Sequence, residues 1–207
     1  MRILVIDDNQ HHLNSAKELL KEHKVTLCST ADEAIELLEP QYDDVIFHRL
    51  WSEKGWEEAS QVARLPYWDV VLSDLLMPAP KRNLSYFGEK FIGQEMPVGW
   101  AFVLRATLEG AKFAAVVTAT NHHNHPASAL LDPLGSAYWE DNRENAPKFT
   151  INGATVGFYH APMIGVDTVP CSHCNVTGRT DKICSFCEGT KKEQGKNWAL
   201  VLKALTS

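Results

Sequence analysis

Arg2 to Ile6 is a short, apolar, β-branched run that stops abruptly at two carboxylates, Asp7 and Asp8, and Asp69 to Leu72 is a second such run that stops at Ser73-Asp74. A strand covered on both faces reads as a continuous apolar stretch and turns polar only where it leaves the sheet. The segments between and after these runs keep the same rhythm. Asn9 is placed to cap a helix over Gln10 to His23, where Leu13, Ala16, Leu19 and Leu20 follow helical spacing and Lys17, Lys21 and Glu22 fall on the other side. Lys24 to Cys28 reads as the second strand, and Ser29 or Thr30 caps a helix over Ala31 to Leu38. Val98 to Glu109 reads as a helix stopped by Gly110, Ala114 to Val117 as the fourth strand, Thr155 to Tyr159 as the fifth, and Trp198 to Leu205 as a closing helix.

Strands alternating with helices predict an α/β fold, a doubly wound five-stranded parallel sheet of the flavodoxin-like kind, in one domain over 1–207. Ligands of such sheets sit beyond the carboxyl ends of the strands. Asp7, Asp8, Asp74 and Thr118 all fall just past strand ends, so the topology alone gathers them at one edge. Three stretches exceed an ordinary connection: Glu39 to Tyr67, with Ile46, Leu50, Trp51 and Trp56 among charges, predicts extra helix; Pro78 to Pro97 and Asn121 to Asn152 read as long loops.

Two adjacent carboxylates facing a third repel one another unless a cation stands between them, and hard oxygen ligands suit Mg²⁺. The alternative for Asp7 and Asp8 is capping of the first helix, which gives no reason for a further Asp after the third strand. The segments Ile3-Leu-Val-Ile-Asp-Asp-Asn9 and Asp69-Val-Val-Leu-Ser-Asp-Leu-Leu-Met-Pro78 resemble the signature segments of response-regulator receiver domains. The resemblance covers Met1 to about Leu38 and Trp68 to Thr120. It implies that Asp74 is the phospho-acceptor, that Asp7, Asp8, Asp74 and the backbone carbonyl of Leu76 hold Mg²⁺, and that Thr118 is the switch hydroxyl. Where the family carries Lys-Pro after the fifth strand, this chain reads Phe158-Tyr-His-Ala-Pro162. Ala161 thus stands at the Lys position, and His160 is the neighbouring candidate for the missing cation.

Directly after Thr118 comes Asn121-His122-His123-Asn124-His125-Pro126. His122, His123 and His125 there suit either a second, imidazole-ligated metal site or acid-base work at neutral pH, against the plainer reading of solvated or helix-capping histidines. Glu95, before Pro97, is a further carboxylate within reach of the same mouth or a solvated loop charge. Of the cysteines, Cys28 reads as a small core residue. The other four form two C-x-x-C pairs, Cys171/Cys174 and Cys184/Cys187, whose paired turns complete a tetrahedral thiolate site for structural Zn²⁺. A pair of redox dithiols is the alternative. The zinc knuckle is expected over 168–192, inserted between the fifth strand and the last helix.

A net charge of -6 disfavours tight, non-specific binding to phosphate backbones, so no direct nucleic-acid binding is expected. Carboxylates at Asp7 and Asp8 interrupt the N-terminal apolar run where a signal peptide would continue it; no membrane association and a cytoplasmic location are expected. The leading expectation is a stand-alone, receiver-like signalling protein without an output domain, with a histidine kinase or another signalling protein as partner. The rivals are a metal-dependent enzyme that reuses the pocket with the His122–His125 loop, favoured by the absent Lys, and a phosphorylation-independent protein-binding module.

Overall fold

A computed structural model of the chain describes residues 1–65, 67–120, 123–134, 146–170 and 192–207. Its frame is β1 (Arg2–Ile6), α1 (Gln10–Leu19), β2 (Lys24–Cys28), α2 (Ala31–Leu37), β3 (Val70–Ser73), α5 (Gly99–Leu108), β6 (Phe113–Thr118), β8 (Ala154–His160) and α7 (Trp198–Thr206). Between α2 and β3 lie α3 (Asp44–Lys54) and α4 (Trp56–Val62); between β3 and α5 lie the two-residue strands β4 (Met77–Pro78) and β5 (Glu95–Met96). After β6 come α6 (Pro126–Ala129) and β7 (Lys148–Ile151), and after β8 come β9 (Met163–Pro170) and β10 (Lys192–Lys196).

The central sheet has 6 strands in the order β2-β1-β3-β6-β8-β7. All neighbours run parallel except the last pair, β7 and β8, which are antiparallel. The expected parallel sheet is therefore present, with one correction: a sixth, antiparallel strand covers the edge of β8. Asn152 and Gly153, with φ of 51° and 81°, make the two-residue turn that joins them, the left-handed pair that matches strand twist in a tight hairpin.

Each β-strand sends alternate side chains to opposite faces, and two separate cores result. Leu4, Ile6, Val71, Val116, Val156 and Phe158 pack on one face with Ala31 and Ala34 of α2 and Phe102, Val103 and Ala106 of α5. Ile3, Val5, Leu72, Val117 and Tyr159 pack on the other with Leu13 and Ala16 of α1 and Trp198, Val201 and Leu205 of α7. Caps fix the helix starts as the sequence indicates: the Asn9 and Thr30 side chains accept the backbone N–H of His11 and Glu33. The expected extra helix between Glu39 and Tyr67 is present as α3 and α4, with the rings of Tyr42, Phe47 and Trp51 in tilted contact.

β9 and β10 form a separate antiparallel hairpin that leaves the sheet after Pro162 and returns at Lys196. Its base is closed where Lys196 stands opposite Met163 and the Asn197 N–H donates to the Pro162 carbonyl at 2.6 Å. Cys171, Cys174, Cys184 and Cys187, and with them most of the expected knuckle, lie outside the described residues, as does His122.

Candidate phosphoryl and metal site

The carboxyl ends of β1 and β3 carry Asp7 and Asp74 side by side, because the two strands are parallel neighbours with Ile6 opposite Ser73. Asp8 follows at the mouth. The three carboxylates each offer an oxygen within 4.8 Å of the others, the one grouping of three potential metal ligands among the described residues. Asp7 is fully buried, Asp8 is exposed, and Asp74 lies between these extremes. Local backbone donors hold the two inner carboxylates: the Asn9 N–H donates to Asp7 Oδ1 at 2.9 Å and the Leu75 N–H to Asp74 Oδ1 at 2.7 Å. Leu76 is buried in the turn that leads to β4. Gly99, at the start of α5, packs so close to this turn that a Cβ there would run into the Asp74 carbonyl oxygen.

The expectation that the pocket lacks an ammonium is overturned. Lys196 Nζ donates to Asp7 Oδ2 at 2.6 Å and to the Val117 carbonyl at 2.8 Å, and pairs with Asp74 Oδ1 at 2.8 Å. Its side chain is fully buried. The backbone around it is fixed as well: the Ser15 hydroxyl donates to the Lys196 carbonyl, and the Trp198 indole N–H donates to the His12 carbonyl. The Trp198 ring lies under the ammonium at 5.3 Å.

His160 is correspondingly displaced from the role expected of it. It lies on the opposite face of β8 from Tyr159, and its Nε2 is 3.7 Å from Asp132 Oδ1, on the α6 side of the sheet. Thr118 is buried at the end of β6, at the same sheet edge as the aspartates, and its hydroxyl oxygen accepts the Thr120 N–H at 3.1 Å. Of the three histidines of the possible second metal site, His122 lies outside the described residues. His125 Nδ1 accepts the Ala127 N–H and caps α6, and among the described residues neither His123 nor His125 belongs to a group of three ligands. Glu95, paired across the short ladder with Pro78, does add negative potential at Asp8.

Burial and crowding set the protonation of the site. Burial pushes the Asp74 carboxyl up to about 6, with the Lys196 charge opposing and Asp7 adding to the rise. Asp7 is raised by burial in the same way, against the pull of Lys196. Asp8 is raised by partial burial and by the charge of Asp74. Burial alone would lower Lys196, but Asp74 and Asp7 outweigh it and the ammonium is held charged. Burial, reinforced by Lys196, drives the His12 imidazole down to about 3, so it stays neutral beside the ammonium. Cys28 is buried and its thiol is pushed up to about 12, as suits an inert core residue.

Hard carboxylate oxygens, one of them open to solvent, fit a divalent cation that keeps several waters. The arrangement thus offers three chemical groups at one sheet edge: a partly buried carboxylate at Asp74, a cluster of carboxylate oxygens and a fixed ammonium. Among the described residues no helix is long and apolar enough to cross a membrane. Comparison of the chain with family models, with curated proteins and with solved structures finds no match.

Proposed function

We propose that this chain is a receiver-like signalling protein whose Asp74 accepts a phosphoryl group, built on the five-strand flavodoxin-like topology with insertions. The observation that carries the reading is the ammonium of Lys196, which meets Asp74 and Asp7 from a position next to the end of β8. Asp7, Asp8 and Asp74 would hold Mg²⁺, with the Leu76 carbonyl as a further ligand; the metal when bound neutralises charge on the phosphoryl oxygens. Asp74 supplies the nucleophilic oxygen. Lys196 supplies a fixed positive charge beside it, and Thr118 a hydroxyl at the same edge. With an ammonium present, the main support for the enzyme reading, a missing Lys, is gone. A histidine kinase or another signalling protein is the proposed donor, in the cytoplasm.

Mg²⁺ or Mn²⁺ at millimolar concentration is expected to raise the melting temperature of the wild type, because it relieves carboxylate repulsion and binds only the folded chain. Asp8→Asn should lose most of that shift. A melting curve that does not respond to either ion counts against the acidic pocket as a metal site.

Zn²⁺ on Cys171, Cys174, Cys184 and Cys187 is the second cofactor of this reading, supported by the spacing of the two pairs. Four thiolates leave no open position, so the ion is structural. Metal analysis of the purified chain should find about one zinc per molecule, lost when Cys174 and Cys187 are both replaced by Ser. A disulfide in place of the metal would remove this part of the account.

A further inference from the structure

We infer that the face formed by α2, the start of α5 and the loop between β4 and β5 is the contact of a symmetric dimer, in which Tyr86 and Phe87 of each copy enter an apolar groove on the other. The inference does not depend on the function proposed above. The groove has a volume of about 350 Å³. Its walls are mostly apolar: Leu38 at the end of α2, Pro80 and Asn83 of the loop, and Val98, Ala101 and Phe102 at the start of α5.

The loop that forms one wall of the groove also carries the rings. Lys81 to Leu84 make a tight turn, closed by the Leu84 N–H on the Lys81 carbonyl, and Asn83 takes the left-handed φ of 66° that the third position of such a turn requires. Beyond this turn Tyr86 and Phe87 stand edge to face, with ring centres 5.5 Å apart. They are 80% and 82% exposed, and Leu84 and Phe91 of the same loop are open to solvent as well. The loop is held by hydrogen bonds. The Ala79 N–H donates to the Gln94 carbonyl, the Gly93 N–H to the Ala79 carbonyl and the Gly88 N–H to the Ser85 carbonyl, while the Asp32 carboxylate of α2 accepts the N–H groups of Lys81 and Arg82. A loop fixed in this way has already lost much of the freedom that docking would otherwise cost.

Three features make the occupant a second copy of this chain. The rings follow Asn83 within four positions, yet they point to solvent and leave the groove of their own chain unfilled. A face that bears an apolar groove beside exposed rings is complementary to itself, because a two-fold axis between them sets each copy's rings over the other's groove. Charge agrees with this placement. α2 and the turn after it carry Asp32, Glu33, Glu36 and Glu39, and the loop carries Lys81, Arg82 and Lys90, so the axis brings a basic loop onto an acidic helix. Arg82 meets Glu36 and Glu39 within one chain; Lys81 and Lys90 are the cations offered to the other copy. The area also suffices. Tyr and Phe each bury about 150–250 Å², so the four rings and the walls they cover reach roughly 1,200 Å², the lower end for specific interfaces. Association of micromolar rather than nanomolar strength follows.

Sedimentation equilibrium of the full chain, from micromolar to near-millimolar concentration, tests this on wild type, on Tyr86→Ser/Phe87→Ser and on Ala101→Arg. Both changed sites are exposed, so circular dichroism and melting temperature should match the wild type. Wild type should form a dimer and no larger species. Each variant should self-associate at least about tenfold more weakly, as loss of a buried aromatic anchor or of its pocket does. An equal mixture of the two variants should associate more tightly than either alone, since the mixed pair sets one intact pair of rings over one intact groove. A surface that is merely sticky gives no such rescue. Should Ala101→Arg lose the wild-type spectrum, Ala101→Gln takes its place. A wild type that stays monomeric throughout, a ladder of larger species, a dimer that both variants retain, or no gain on mixing overturns the inference.

Discussion

Replacing Lys196 with Met is expected to destabilise the metal-free protein by about 3–5 kcal/mol at pH 7.5, the usual cost of leaving a buried charge without its partner. Asp7 has no exposed surface, and its Oδ2 loses a 2.6 Å ion pair, while Asp74 loses one of 2.8 Å. Both carboxylates then face each other in a buried setting. A methionine fills much the same volume, so packing around Trp198 is retained and the loss is electrostatic. Urea unfolding of wild type and variant checks this. The gap should narrow toward pH 4, where protonation discharges the pair, whereas a truncation defect in packing would persist. A loss under about 1 kcal/mol at pH 7.5 would mean that the ammonium is not the partner that keeps these carboxylates buried.

Asp74→Asn is expected to act in the opposite direction. The Asp74 carboxyl sits at about 6 in the folded chain, above its ordinary 3.8. A raised folded value favours the protonated form, so its contribution to stability is fully present below about pH 4 and lost as the pH rises through about 6. At pH 8 the ionised Asp74 therefore works against the fold. Asn removes that charge in the same shape, and the variant should be more stable than wild type by about 1–3 kcal/mol at pH 8 in metal-free buffer. At pH 4 the two should unfold at nearly the same urea concentration. A stability difference that is the same at both pH values, or a less stable Asn variant at pH 8, would contradict this assignment of charge. A cation held between the carboxylates would relieve this unfavourable ionisation of Asp74.

Much of the frame was legible because burial on both faces writes itself into composition. Arg2–Ile6 and Val70–Ser73 read as continuous apolar runs and are buried parallel neighbours, and the aspartates that end them meet for that reason alone. β7 was legible but missed. Lys148-Phe-Thr-Ile151 alternates polar and apolar, and Asn152-Gly153 is a strong hairpin signal; both lie at the end of a long polar stretch that read as loop. Lys196 was hidden by distance along the chain. Counting from the fifth strand puts Ala161 at the Lys position, and the residues that follow Pro162 along the chain belong to β9 rather than to the pocket. Once the stretch from Met163 to Gly195 is treated as an insertion whose strands pair with each other, Pro162 and Asn197 are hydrogen-bonded neighbours and Lys196 falls directly after Pro162, two positions past Ala161. The signal was the lone Lys between Gly195 and Asn197, just before the apolar closing helix. Among the histidines, the plainer reading of a helix cap holds for His125, and His160, the candidate for the missing cation, sits on the far face of β8 beside Asp132.

The central claim is that Asp74 accepts a phosphoryl group. Transfer from a small acyl phosphate joins an Asp74 carboxylate oxygen to phosphorus, breaks the donor's P–O bond and releases the donor's carboxylate. Incubation of the full chain with acetyl phosphate and Mg²⁺, followed by intact-mass measurement and mapping of the modified peptide, tests this most directly. The account predicts one added phosphoryl group on wild type, located at Asp74, dependent on the divalent ion, and absent from Asp74→Asn. No adduct on wild type at any Mg²⁺ or Mn²⁺ concentration, or an adduct that persists in Asp74→Asn, would contradict it.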